Sequence, residues 1–306
     1  MTQRLSFIIL ALLLAATPLQ AQKKKSVQAP EPLSGLYVTV EAGLLIPSDK
    51  QANFYNGDSH SPNRLERVLK SELYGTQIWD DLVSRQLISP SAIHDYGEFR
   101  VDEYADMYYR LSFQLGMGFR YVYDNGWGWL LRFDFSEVTA AGQFLLSSNN
   151  GTGILGSNNY VVCGIYGRER RVLIDLGIAK RIPLTKLIDL ELDLGFDLNN
   201  TNVQSNAIRV PDRQGKTYSI LDVWGGQMPY SGIGTYEYIN QGAIGIGGFG
   251  TVALSYKVPV GAIDFGYTYY YMQTKFHDYN ESDCYAPQHT IFFRFNINNF
   301  SFFKKK

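Results

Sequence analysis

Four histidines and two cysteines are the residues of this chain best suited to acid–base, nucleophilic or metal chemistry. The histidines are His60, His94, His277 and His289; the cysteines are Cys163 and Cys284. Asp58-Ser59-His60-Ser61 sets acid, base and nucleophile types side by side. Adjacency is not triad geometry, because each member of a triad must be oriented by the next across the fold. His277, Asp278, Glu281 and Asp283 bring hard oxygen ligands of the kind calcium takes. A solvated acidic loop is the simpler expectation, so no metal, cofactor or enzymatic activity is expected. The cysteines fit one optional disulfide, Cys163 to Cys284, in an exported chain. That bridge requires the two Cα atoms to lie within about 4.4–6.8 Å.

The ends of the chain bear on compartment. Residues 1–21 read as a secretory signal, with Arg4 as the basic end, Phe7 to Ala16 as the apolar core and Ala21 before a cut at Gln22. That apolar run falls short of the ~20 residues a membrane helix needs. A basic, Pro-containing leader occupies residues 22–34, and the chain ends on a Lys-rich tail at 300–306. No later segment is apolar enough for a helical span. The net charge of -1 gives no reason to expect nucleic acid as a partner. The 29 glycines, 22 tyrosines and 18 phenylalanines suit a narrow lumen and interfacial aromatic girdles.

The elements that would position any chemistry show in the hydropathy. From 107 to 123, Met107, Tyr109, Leu111, Phe113, Leu115, Met117, Phe119, Tyr121 and Tyr123 share one face, opposite Arg110, Gln114 and Arg120. From 188 to 198, Ile188, Leu190, Leu192, Leu194, Phe196 and Leu198 alternate with Asp189, Glu191, Asp193 and Asp197. A period of two is a β-strand, and a tilted strand crossing a bilayer needs roughly 9–11 residues. Eight such strands are predicted, near 35–46, 106–123, 127–140, 169–182, 187–199, 243–258, 262–275 and 288–299. Short turns fall near 124–126, 183–186 and 259–261, the first carrying Asn125-Gly126, a strong hairpin signal. Long loops fall near 47–105, 144–168, 200–242 and 276–287. Short periplasmic turns against long extracellular loops, with an even strand count, are the asymmetry of an outer-membrane barrel.

Over residues 35–299 the chain resembles the small eight-stranded outer-membrane barrels of the OmpA/OmpX type, in architecture rather than by motif. The expected fold is all-β: an eight-stranded antiparallel up-and-down transmembrane β-barrel with a long, partly helical first extracellular loop. The resemblance implies the outer membrane of a Gram-negative bacterium, with both termini periplasmic. It also implies outer-membrane lipid, lipopolysaccharide and the outer-membrane assembly machinery as partners. Two features depart from the type. Phe302 and Phe303 are followed by Lys304, Lys305 and Lys306 where a terminal aromatic is usual, and the first loop is longer than usual.

Volume and energy set the orientation. An eight-stranded interior is barely wide enough for ordinary side chains, and the polar face carries small residues such as Gly116, Gly118 and Gly195. Turning that face to lipid would expose arginines at roughly 2–4 kcal/mol each. The lumen is therefore expected to collect Glu41, Arg110, Arg120, Arg132, Asp134, Asp175, Arg181, Asp189, Glu191, Asp193, Asp264 and Arg294. Both signs are present, so they can pair, and a salt-bridged plug is expected ahead of a narrow pore or proton path. In loop one, residues 63–73 and 76–87 have helical composition and are expected to cap the barrel mouth, with Ser89-Pro90 stopping the second helix. Loop three, around Trp224, has the Tyr, Gly and Asn content of a binding surface. The leading functional expectation is a non-enzymatic structural or interaction protein, such as a receptor, adhesin or envelope-assembly accessory, which meets a protein partner through its extracellular loops. The alternatives are a narrow pore or transporter for a small or hydrophobic solute and, behind it, a lipid A or phospholipid-modifying enzyme.

Overall fold

Alternating strands whose two faces differ in polarity are satisfied when the sheet closes on itself, since closure pairs every backbone group and separates the faces. The computed structural model describes residues 34–61, 63–71, 73–84, 99–148, 160–211, 216–221, 241–277, 279 and 285–298. The signal sequence, most of the leader and the Lys-rich tail lie outside them, as do His94, Ser89-Pro90, Trp224 and Cys284. In chain order the elements are β1 (Gly35–Ile46), a 3-10 turn (Asp49–Tyr55), α1 (Leu65–Leu69), α2 (Gly75–Ser84), β2 (Phe99–Glu103), β3 (Tyr108–Tyr109) and β4 (Ser112–Val122). There follow β5 (Trp127–Ser148), β6 (Tyr160–Pro183), β7 (Ile188–Arg209), β8 (Thr217–Ser219), β9 (Ile244–Val258), β10 (Gly261–Gln273) and β11 (Tyr285–Ile297). The pairing runs β5-β4-β1-β11-β10-β9-β7-β6 and closes from β6 back to β5, all antiparallel. This is an eight-stranded up-and-down transmembrane β-barrel, with β2 and β3 extending the β4 side and β8 lying beside β7.

Tight turns join the strands at one end. Between β4 and β5, Gly126 takes φ 76, its N–H donates to Tyr123 O at 2.8 Å, and the Asn125 side chain accepts from Trp127 N at 3.0 Å. Only glycine holds that left-handed conformation without steric cost. The outer wall over this part of the barrel is apolar: Val40, Phe113, Met117, Trp129, Phe135, Leu176, Leu194, Phe196, Phe265 and Phe293 are all exposed. Aromatics mark its edges. Tyr121, Tyr123 and Trp129 cluster at the turn end, and Tyr267, Tyr269 and His289 pack together toward the other.

Two expectations are corrected here. First, β5, β6 and β7 run on to Ser148, from Tyr160 and to Arg209, so much of the sequence expected as loop is strand. Second, Arg110 is not in the lumen. Tyr109 pairs with Ala140 while Gln114 pairs with Ser136, so the β3–β4 side carries one extra residue. Such a bulge flips the faces beyond it. Met107 and Tyr109, expected outside, are buried, and Arg110 is exposed on the outer wall.

Beyond the apolar band the barrel wall reverses polarity. Outward positions become Glu137, Arg168, Arg170 and Asn202, whereas Val138, Phe144, Val161, Ile165, Val203 and Ile208 turn inward and are buried. Against this inner face pack Phe54 and Tyr55 of the 3-10 turn, Leu65, Val68 and Leu69 of α1, and Ile78 and Leu82 of α2. Loop one thus forms a dry stopper in the mouth of the barrel. Phe54 stacks on Phe276 at 4.1 Å, and the Asn63 and Gln241 amides exchange hydrogen bonds at 3.0 and 2.7 Å. Tyr55 sits directly over Gly167, where an added Cβ would fall 2.1 Å from its ring.

Two predictions follow from the stopper. Gly167→Val should unseat Tyr55 while the ring still closes, costing about 1–3 kcal/mol of overpacking. Limited trypsin digestion should then cut within residues 49–84, and the barrel should keep its heat-dependent shift on gels. Cys163 lies in the same apolar cluster, in the part of β6 beyond the lipid-facing band, and is a free thiol among the described residues. Burial pushes that thiol up to about 12. A Cys284→Ser chain should therefore resist maleimide at pH 8 and react once unfolded.

Candidate functional site: a charged lumen beneath a loop-one stopper

Inside the band, successive inward positions of the strands build two linked knots of charge. In the lower knot, Glu191 is the hub. Arg120 Nη1 donates to Glu191 Oε2 at 2.5 Å and its Nη2 to Asp193 Oδ2 at 2.5 Å. Arg181 forks onto Glu191 Oε1, with Nε at 2.8 Å, and lies over the Tyr37 ring at 4.9 Å. Arg294 Nη1 stands 3.6 Å from both Asp193 and Asp264. In the upper knot, Arg132 Nε donates to Asp175 Oδ2 at 3.0 Å and stands 2.9 Å from Asp134, while Nη2 donates to Tyr270 OH at 2.7 Å. Glu41 joins the knots, accepting from Arg294 Nε at 2.8 Å and lying 3.5 Å from Arg132.

The registers explain the pairing. Glu41 lies opposite Arg294, Arg132 opposite Asp175, Arg181 opposite Glu191 and Asp264 opposite Arg294. Glycines clear the space: Gly116 and Gly118 face Glu41 and Thr39 across β1, where a side chain would strike Asp134 or the β5 backbone. Asp189, beside the turn end, is held by Lys257 at 2.8 Å. Carboxylates outnumber cations here, and amides add two donors, with Asn296 on Asp264 at 2.6 Å and Asn199 on Asp197 at 3.2 Å. An apolar collar of Leu130, Leu173, Phe249 and Met272 surrounds Tyr270 within the lumen. Leu173, which interrupts the polar alternation of β6, belongs to that collar.

The structure therefore gathers Glu41, Arg120, Arg132, Asp134, Asp175, Arg181, Asp189, Glu191, Asp193, Asp264 and Arg294 into the lumen, all buried, and leaves Arg110 outside. Sequence reasoning missed the group that ties lumen to stopper. Glu169 accepts from Arg171 Nε at 2.6 Å, from Tyr55 OH at 2.5 Å and from Tyr109 OH at 3.3 Å. Arg171 also donates to Gln288 Oε1 at 2.8 Å and lies over the Tyr109 ring. Glu169 and Arg171 share the inward face of β6 with Asp175, which was the available signal.

Among the described residues, the groups with catalytic character are not assembled into a site. Asp58 builds a turn, accepting from His60 N and Ser61 N at 2.8 Å each, while Ser61 Oγ donates to Phe54 O at 2.7 Å. The His60 side chain is 89% exposed and 3.9 Å from Asp58. His289 faces outward and hydrogen-bonds Tyr267 OH at 2.6 Å. His277 is exposed, and Asp278, Glu281 and Asp283 lie outside the described residues. The expected partner of Cys163, Cys284, lies outside them as well.

No protein-family model matches this chain, and no curated protein matches it in sequence. Among solved structures it is similar to Neisserial surface protein A, at 11% identity over 87% of this chain and 98% of that one, with TM-score 0.34. It is also similar to Ail, the attachment invasion locus protein of Yersinia pestis, at 10% identity over 86% of this chain and 100% of that one, with TM-score 0.30. A second Ail structure, in complex with the heparin analogue sucrose octasulfate, matches at 11% identity over 86% and 100%, with TM-score 0.29. The barrel assignment rests on the closed ring of strands and the polarity of its two faces.

The hub carboxylate sets the prediction for this site. Glu191→Ala leaves Arg120 and Arg181 without their main partner, and breaking one side of a buried pair costs about 3–5 kcal/mol. Urea unfolding of the refolded chain in detergent should show that loss, whereas Arg170→Ala on the exposed wall should shift stability by about 0–1 kcal/mol.

Proposed function

We propose that this chain is a non-enzymatic protein of a Gram-negative outer membrane, with both termini periplasmic. It serves as a structural or interaction element at the cell surface, surrounded by outer-membrane lipid and lipopolysaccharide and inserted by the assembly machinery. One observation carries this reading: the barrel is closed twice, by interlocked ion pairs in the lumen and by the apolar stopper above them. Solute passage would require breaking buried charge pairs and extracting a packed apolar core, each costly. What projects is instead a sheet platform, since β5, β6 and β7 continue well past the last lipid-facing residues Phe135, Val172 and Leu198. Tyr160 and Val162 are exposed at its far end, and a rigid wall that carries loops is the usual arrangement for recognition.

Two measurements test this. In planar bilayers the unmodified chain should give no steady unitary currents; sustained openings would favour the transport alternative. Cells expressing it should capture an envelope or surface partner after mild detergent extraction. Replacing residues 149–159 and 222–240 with short turns should abolish that capture and leave the heat-dependent gel shift intact. Changed lipid A mass spectra on expression, lost with His60→Ala, would point to an enzyme instead.

A further inference from the structure

The outer wall carries a basic patch at the height where the apolar band ends. Arg110 N donates to Thr139 O at 2.9 Å, Thr139 lies opposite Arg168, and Glu137 lies opposite Arg170. Arg168 Nη1 stands 3.4 Å and Arg170 Nε 3.6 Å from the two oxygens of Glu137. The side chains are 51% and 65% exposed and that of Glu137 45%, so these contacts are loose and wet. Arg110 is exposed and has no ion pair among the described residues. Strands lie roughly 4.8 Å apart and alternate residues roughly 6.7 Å apart, so the guanidiniums span about one headgroup. Three cations stand against Glu137 and against Asp49, whose carboxylate accepts from Tyr109 N at 2.8 Å beside Arg110, and still leave a positive excess.

Position then selects the ligand. On the same strands the adjoining outward residues toward the turns are Leu111, Phe113, Phe135 and Val172, apolar and in the lipid-facing band. A ligand that satisfies both halves has hydrocarbon chains on those residues and an anion on the arginines. Guanidinium forks match phosphate oxygens two at a time and are less strongly hydrated than ammonium groups. The bulge that turns Arg110 outward is what adds the third cation. We propose that Arg110, Arg168 and Arg170 form a docking site on the barrel's outer wall for the phosphorylated headgroup of an outer-leaflet lipid, whose chains lie along Phe135 and Val172. This rests on the membrane reading above. Glu137 pairs with the two β6 arginines and gives them up to the phosphates when the lipid binds.

The full chain is refolded into phosphatidylcholine vesicles containing, in turn, diphosphorylated lipid A, the same lipid enzymatically stripped of phosphate, or no addition. Enrichment is read by quantifying the lipid that co-purifies with the chain after mild detergent extraction, and inorganic phosphate and heparin are added separately as soluble anions. Diphosphorylated lipid A should be enriched around the native chain. Arg110→Gln/Arg168→Gln/Arg170→Gln together should weaken that enrichment on the order of tenfold or more. Glu137→Gln should strengthen it by removing the competing carboxylate. Equal enrichment of stripped lipid, an unchanged triple variant, or a weakened Glu137→Gln chain each overturns the proposal. So does preference for heparin over lipid, which would reassign the patch to a soluble polyanion. A native chain that stays soluble without detergent refutes the membrane reading itself, a result distinguishable from loss of lipid preference in an intact barrel.

Discussion

Glu191 stands where guanidiniums from three other inward positions converge, and the rest of the barrel is arranged around that requirement. A charge withdrawn from water persists only if a partner and hydrogen bonds replace its hydration. An eight-stranded wall is too narrow to keep a water column beside so many ionised side chains. Each arginine must therefore reach a carboxylate directly, and the register delivers one, as Arg132 opposite Asp175 and Glu41 opposite Arg294 show. Glycines on β4 make room for this, and an amide, Asn199, donates to Asp197, which has no cation beside it among the described residues. Because one guanidinium commonly serves two strands, the pairs also hold the ring closed from within.

The barrel changes its interior where its surroundings change. With hydrocarbon outside, bulky apolar residues gain by facing outward, and the lumen receives the polar set. Beyond Phe135 and Val172 the outside is polar, and the same strands carry Glu137, Arg168 and Arg170 outward and Val138, Ile165 and Val203 inward. Water then drives apolar side chains into a conventional core, which loop one fills. Glu169 sits at the junction, bonded to Arg171 below and to Tyr55 of the stopper above, and joins the two solutions to the packing problem.

This junction also explains what sequence reasoning could and could not see. The eight strands and their three tight turns were legible because unbroken alternation over about ten residues has few other meanings. The strand ends near 140, 169 and 199 were misplaced because the polarity of the faces inverts there, and an inversion looks like termination. Arg110 was misassigned for a related reason. The bulge moves Met107 and Tyr109 inward, but the interior at that height is apolar, so hydropathy runs smoothly across the register change. Tyr55 carried no signal at all, since its role depends on Gly167, a residue distant in sequence that leaves room for its ring. The Asp58-Ser59-His60-Ser61 run advertised chemistry and proved to be a hydrogen-bonded turn.

Local alternation by itself determined the class of fold, the number of spanning strands and, except at the bulge that turns Arg110 outward, which of the expected charged residues are enclosed, because side-chain direction in an unbroken strand depends only on parity. Tertiary structure decided which charges meet, since partners such as Glu41 and Arg294 come from opposite ends of the chain and are joined only by ring closure. It likewise decided that the mouth is shut, because an apolar stretch in loop one can seal a barrel only if long-range pairing first presents an apolar inner wall to receive it.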